Sequence, residues 1–80
     1  MNKDWKYSTA IVEGELYTIH GLNIWDYEWK SIGQSINVKD PLYGQDYTMT
    51  VFEIADNGIV VTFAAGEFSN GIWGIYQNNE

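Results

Sequence analysis

A chain of 80 residues with no cysteine and one histidine is long enough for one small domain, residues 1–80, and offers neither a disulfide framework nor the ligands of a structural metal. The formal net charge is −7, from four lysines, no arginine and eleven acidic residues. This charge excludes nucleic-acid binding and disfavours binding to an anionic membrane surface, since both kinds of binding rely on basic side chains. No apolar run approaches the ~20 residues that span a bilayer, and no basic, apolar leader follows Met1, so we expect a cytoplasmic protein. We also expect that it requires no cofactor.

Aromatic residues supply the core of so small a chain. The sequence holds four Trp, six Tyr and three Phe, and each can bury roughly 150 to 250 Å² of surface. Eight glycines separate short stretches rich in β-branched and aromatic residues, which is the pattern of β-strands joined by tight turns. We therefore predict an all-β domain of five to seven antiparallel strands, a meander that curls into a small barrel or a bent sheet.

The N-terminal half alternates less clearly than the rest. Residues 7–12 are predicted to pair with residues 15–20 across Glu13-Gly14. Further along, residues 35–39 form a predicted strand that ends before Asp40-Pro41, because proline cannot donate to a strand ladder.

The segment between Leu22 and Gly33 fits two structures. As a strand, it places three aromatic rings on one face, namely Trp25, Tyr27 and Trp29. As a short helix over residues 23–32, it begins at Asn23 as N-cap and stops at Gly33. We favour the strand, because aromatic residues prefer a pleated surface and gain little in a helix.

Two Asn-Gly pairs predict hairpins in the C-terminal half. Asn57-Gly58 is typical of a two-residue type I′ turn, since both residues tolerate positive φ. That turn sets a register with three apolar or small pairs on one face: Ile54 opposite Val61, Phe52 opposite Phe63, and Thr50 opposite Ala65. Asn70-Gly71 predicts a second hairpin with Phe68 opposite Trp73, so that three strands form a meander over residues 47–77.

The last predicted strand, residues 72–76, is apolar and carries no charge that would discourage pairing at a sheet edge. Residues 16–20 are the candidate partner, pairing the first strand with the last as small barrels do. If no such pairing exists, we expect a homodimer built on residues 72–76.

Catalytic groups are scarce. His20 is the one conventional base, and its place before Gly21 is typical of a solvated turn residue rather than of a catalyst. Acidic pairs occur at Glu13 and Glu15 and at Asp26 and Glu28, but glycoside hydrolysis needs a deep cleft that this chain has little volume to build. We therefore expect a protein that is not an enzyme, with no catalytic residues and no metal site.

Binding is the remaining class, and two surfaces are candidates. No lysine follows Lys39 to oppose the acids of the C-terminal half, which are Asp40, Asp46, Glu53, Asp56, Glu67 and Glu80. An acidic face of this kind complements a basic protein partner, as in an immunity or inhibitor protein, with Tyr43, Asp46 and Glu53 as candidate contacts. The alternative is a carbohydrate- or peptide-binding module that uses the rings of Trp25, Tyr27 and Trp29.

Overall fold

The computed structural model describes residues 5–39 and 43–78. Within these ranges the strands and the one short helical turn follow in this order: β1 (Trp5–Val12), β2 (Thr18–Ile19), β3 (Leu22–Asn23), a 3-10 helix (Ile24–Asp26), β4 (Lys30–Lys39), β5 (Asp46–Asp56), β6 (Ile59–Ser69) and β7 (Ile72–Asn78). No helix in the described ranges is long and apolar enough to cross a membrane.

The strands form an antiparallel sheet of five, in the order β1-β7-β6-β5-β4, with β2 and β3 making a separate small ladder. The predicted all-β fold is confirmed, as a bent sheet rather than a closed barrel. Tyr76 on β7 donates its hydroxyl to the carbonyl of Lys39 on β4 at 3.5 Å, although three strand spacings, about 14 Å in a flat sheet, separate those strands. The sheet therefore curls strongly toward the side that carries Tyr76.

The β5–β6 hairpin has the predicted register. Asn57 and Gly58 both adopt positive φ, at 51° and 81°, as a type I′ turn requires. The ladder pairs Phe52 with Phe63, Ile54 with Val61, and Thr50 with Ala65. Because side chains alternate between the faces of a strand, this register directs the Phe52 and Phe63 side chains to one face.

The predicted register of the β6–β7 hairpin is wrong by one residue. Trp73 lies opposite Glu67 rather than Phe68, because a bulge interrupts the ladder between Glu67 and Ser69. Phe68 is the extra residue of the bulge, and its ring lies over Gly74. A side chain at position 74 would collide with that ring, so the glycine permits the bulge.

The predicted pairing of the N-terminal segments is also wrong. Residues 7–12 belong to β1, which pairs with β7 instead of with residues 15–20. Residues 18–19 pair with residues 22–23 around His20-Gly21, whose φ angles are 53° and 82°. The expected pairing of residues 16–20 with the last strand is therefore wrong as well. β1 pairs with β7 instead, because it offers a longer ladder than a two-residue strand can.

The strand predicted over the Trp25, Tyr27 and Trp29 stretch is likewise wrong. The 3-10 helix starts there because the Asn23 side chain caps it, accepting from the backbone N–H of Trp25 at 3.5 Å and from that of Tyr17 at 3.2 Å. The short-helix alternative was closer, since three residues are helical.

Two apolar clusters lie on opposite faces of the sheet. The first cluster contains Phe63, Ile54 and Ile75 and is covered by the segment between β1 and β4. The second cluster, on the concave face, is built on four buried residues, Met49, Val51, Ala64 and Tyr76, with Trp5, Ile36, Val38, Tyr47 and Phe68 packed around them. Neighbouring residues of one strand thus pack in different clusters, because successive side chains of a strand point to opposite faces of the sheet.

Candidate functional site

The three aromatic residues of the 25–29 stretch pack against the first cluster. The ring centroids of Trp25 and Trp29 are 4.8 Å apart, and Trp29 also lies 5.6 Å from Trp73 and 5.0 Å from Phe63, edge to face in both cases. The Trp29 indole N–H donates to the carbonyl of Ile24 at 2.7 Å. These rings present their surfaces to one another, so they do not form one flat platform for a ligand.

Tyr27 links the covering segment to the far end of the sheet. Its hydroxyl donates to the Asp56 carboxylate at 2.8 Å, at the end of β5. This hydrogen bond, together with burial and the negative charges of Asp56 and Asp26, raises the pKa of Tyr27 above its usual value of 10.0. A Tyr27 phenolate could not donate this hydrogen bond and would be repelled by the Asp56 carboxylate. The neutral phenol therefore holds the covering segment to the end of β5.

The described acidic residues of the C-terminal half are spread over both ends of the sheet. Asp46 pairs with Lys39 at 2.8 Å, with both side chains mostly exposed, and Tyr43 is 82 % exposed beyond that end of the sheet. Glu53 lies half-buried near the opposite end of β5, between Lys30 of β4 and Thr62 of β6 in the ladder. Asp40 and Glu80 lie outside the described residues.

The carboxylates of Glu13, Glu15 and Glu67 lie around the β6–β7 turn, and the backbone of Gly71 bonds to two of these residues. The backbone N–H of Gly71 donates to the Glu67 carboxylate at 2.7 Å, and the carbonyl of Gly71 accepts from the backbone N–H of Glu13 at 2.8 Å. The Glu13 carboxylate accepts from the indole N–H of Trp73 at 3.1 Å. Glu15 follows in the same loop and accepts from the backbone N–H of Val12 at 3.1 Å.

Exposed apolar side chains flank these acids. Leu16 is 72 % exposed and Val12 is 55 % exposed. We call this surface the turn patch; it consists of Val12, Glu13, Glu15, Leu16 and Glu67. Each of its carboxylates is held by a hydrogen bond through one oxygen, which leaves the second oxygen free to accept from a ligand.

Sequence reasoning considered Glu13 and Glu15 only as an acidic pair and missed their proximity to Glu67. The proximity depends on the pairing of β1 with β7, which carries the end of β1 to the β6–β7 turn. The turn at Glu13-Gly14 was the available signal, since it showed where the chain leaves the sheet.

The groups of a catalytic site are dispersed. His20 is exposed in the turn between β2 and β3, and no group of three or more His, Asp or Glu residues in the described ranges could hold a metal ion. An open pocket of about 400 Å³ lies beside Glu28, Trp29 and Lys30. The described part of its lining offers one carboxylate and one ammonium.

No protein-family model, curated protein or solved structure matches this chain.

Proposed function

We propose that this chain is a non-catalytic protein-interaction module, of the immunity or inhibitor kind, which binds a basic protein surface through the turn patch. The observation that supports this function is the set of three carboxylates fixed around one turn beside two exposed aliphatic side chains. Fixed charges lose little conformational entropy on binding, and apolar neighbours supply contact area, so the combination suits a protein surface rather than loose ions.

Two of the three described lysines lie away from the turn patch, and the third is paired with a carboxylate. Lys6 and Lys30 are near the opposite end of the sheet, where β1 and β4 begin, and Lys39 pairs with Asp46. A basic partner would therefore meet attraction at the patch with little local repulsion. Association should be fast at low salt and should slow as the ionic strength rises.

The ring-platform alternative has less support. A sugar or proline ring needs an aromatic face that is free, whereas Trp25, Trp29 and Trp73 lie within 6.0 Å of one another and pack on the first cluster. A ligand would have to separate these rings and would lose the contacts that they make.

The test is capture of protein partners from the source organism's lysate by matched variants, with mass-spectrometric identification. The patch variant is Glu13→Gln, Glu15→Gln and Glu67→Gln; the amide oxygens keep the acceptors for the local hydrogen bonds. The control variant is Asp26→Asn, Glu28→Gln and Glu53→Gln; it loses the same three charges from the net charge of −7 and keeps the pair between Asp46 and Lys39.

We expect a basic protein that is retained by the wild type and by the control variant and is lost by the patch variant. Titration of the purified pair should give a Kd that rises at least tenfold for the patch variant, which is about 1.4 kcal/mol. If the patch variant and the control variant retain the same partner equally, the turn patch is not the binding surface.

A further inference from the structure

Two hairpin turns of the sheet contain an Asn-Gly pair followed by isoleucine, namely residues 57–59 and residues 70–72. Asparagine is one of the thermally labile residues, and it is most reactive before glycine, whose nitrogen can attack the side-chain amide carbon of the asparagine. Glycine permits this attack because it has no β-carbon to block the approach. Since the two pairs share this local sequence, a large difference in their reactivity has to come from the fold.

The reaction replaces the side-chain amide of asparagine by a carboxylate. Hydroxide from the solvent removes the proton of the glycine N–H, and the nitrogen forms a bond to Cγ of the asparagine. The bond from Cγ to the side-chain nitrogen breaks, and that nitrogen takes a proton from water and leaves as ammonia, which regenerates hydroxide. Water then opens the cyclic imide at either carbonyl and gives aspartate or isoaspartate. The fold controls the first step, because an N–H that donates a hydrogen bond must be released before it reacts.

The nitrogen of Gly71 is held in the folded protein. Its N–H donates to the Glu67 carboxylate at 2.7 Å, and the carbonyl of Gly71 accepts from the backbone N–H of Glu13 at 2.8 Å. The carboxylate also opposes loss of the proton, because a second negative charge would form beside the first. Attack on Asn70 therefore requires release of the bond to Glu67, in a turn that is also tied to Glu13.

The nitrogen of Gly58 lies at an open hairpin tip. The ladder of β5 with β6 ends at the pair of Asp56 and Ile59, so the N–H of Gly58 lies outside the ladder. In the part of the chain that the structure describes, this N–H donates no hydrogen bond. Asn57 and Gly58 are both exposed. The backbone rotation that the reaction needs therefore requires only local opening at the end of one hairpin.

We propose that Asn57 is a site of spontaneous deamidation and that the Glu67 carboxylate protects Asn70 from the same reaction. The aspartate product keeps an Asp-Gly pair, which also favours the two-residue turn. The isoaspartate product adds a backbone carbon to a turn that sets the register of β5 with β6, so it destabilises the hairpin. This modification site does not depend on the function proposed for the turn patch.

The test compares the rates of deamidation at the two sites in one sample. The protein is incubated at mildly alkaline pH, digested with chymotrypsin and analysed by mass spectrometry; cleavage after Phe63 or Phe68 separates the two pairs. In the folded protein Asn57 should react about tenfold faster than Asn70, as expected when a hydrogen bond to a charged group must break first. In guanidinium chloride, which unfolds the chain, the two rates should agree within about twofold, since little structure remains to distinguish the sites.

Variants at position 67 identify the protecting group. Glu67→Ala should raise the rate at Asn70 about tenfold and leave the rate at Asn57 unchanged, which is the internal control for folding. Glu67→Gln keeps an acceptor without the charge, so it should raise the rate at Asn70 less. Glu28→Ala removes the same charge from another exposed position and should change neither rate.

Equal rates at Asn57 and Asn70 in the folded protein would overturn the proposal. So would a folded protein in which Asn57 stays unmodified while the unfolded chain reacts, because the open turn would then protect as well as the held one. If Asn70 reacts no faster in Glu67→Ala than in the wild type, the carboxylate does not protect it; a slower reaction would show that the carboxylate acts as a base, which is the opposite role.

Discussion

The ring of Phe68 lies over the α-carbon of Gly74, in the space that a β-carbon at that position would occupy. The same ring packs edge to face on Tyr47, with centroids 5.1 Å apart, so it has neighbours on more than one side. Gly74→Ala should therefore cost about 1 to 3 kcal/mol of unfolding free energy through overpacking. Urea unfolding followed by tryptophan fluorescence measures the loss.

Two variants check that the cause is the contact between Phe68 and Gly74. In a Phe68→Ala background, Gly74→Ala should cost less than 1 kcal/mol, because the double-mutant cycle removes the collision. At Gly66 a β-carbon would meet the flexible thioether of Met49, so Gly66→Ala should cost less than Gly74→Ala. Equal costs at Gly74 with and without Phe68 would show that the ring is not responsible.

The packing of Phe63 gives a second prediction. This side chain is fully buried in the first cluster, so Phe63→Ala should cost about 3 to 5 kcal/mol, enough to unfold a domain of this size. Val60 is on the same strand and 59 % exposed, so Val60→Ala should change stability by less than about 0.5 kcal/mol. A loss under 1 kcal/mol for Phe63→Ala would refute its central place in the core.

The part of the fold that local sequence could predict is the part that turn geometry determines. Asn57-Gly58 sets its hairpin register by arithmetic, since both residues accept positive φ. Asn70-Gly71 looks equivalent in sequence, yet only Gly71 has positive φ, and Phe68 enters a bulge. The difference depends on the space above Gly74, which becomes visible only when neighbouring strands are in place.

Long-range pairing limited the prediction of the candidate site. Nothing local indicates that β1 pairs with β7 rather than with the segment that follows it, because both candidates alternate in the same way. The position of Glu13 beside Glu67 depends on that pairing. Aromatic residues in general were expected to supply the core, but the sequence favoured a strand for Trp25 and Trp29, whereas a capping bond from Asn23 starts a 3-10 helix at Ile24.

The bond between Tyr27 and Asp56 predicts a pH dependence. The pKa of Tyr27 is raised in the folded state. The hydrogen bond therefore stabilises the fold fully at pH values below the pKa of an unfolded tyrosine, about 10, and this stabilisation is lost as the pH rises through the folded-state pKa. The difference in unfolding free energy between wild type and Tyr27→Phe should therefore be constant near neutral pH and should shrink above about pH 10.

Ultraviolet titration of the tyrosines checks the assignment. Tyr27→Phe should remove a late-titrating phenol, and Asp56→Asn should move the pKa of Tyr27 down toward its usual value, because the carboxylate is the main cause of the rise. Tyr43→Phe is the control, since Tyr43 is 82 % exposed. If Asp56→Asn leaves the late phenol unchanged, the hydrogen bond is not its cause.

A substitution at Trp73 tests whether β7 lies inside the sheet of one chain or at an edge that a second chain covers. β7 pairs with β1 on one side and β6 on the other, so residues 72–76 have strand neighbours within the chain, although residues 16–20 are not among them. Trp73 packs against Trp25 and Trp29, and Trp73→Lys would place an ammonium among these rings and leave Glu13 without its indole donor. We expect this variant to be destabilised by about 3 kcal/mol or to be unfolded by circular dichroism, because lysine loses the ring contacts with Trp25 and Trp29 even where its ammonium reaches the Glu13 carboxylate. Val12→Lys is the matched control. Val12 pairs with Ile72 at the same end of the ladder and is largely exposed, so the substitution should change stability little.

Sedimentation of the wild type and both variants completes the comparison. A wild-type dimer that Trp73→Lys converts into a folded monomer would show that residues 72–76 form an interface between chains and that β7 does not have the neighbours described here.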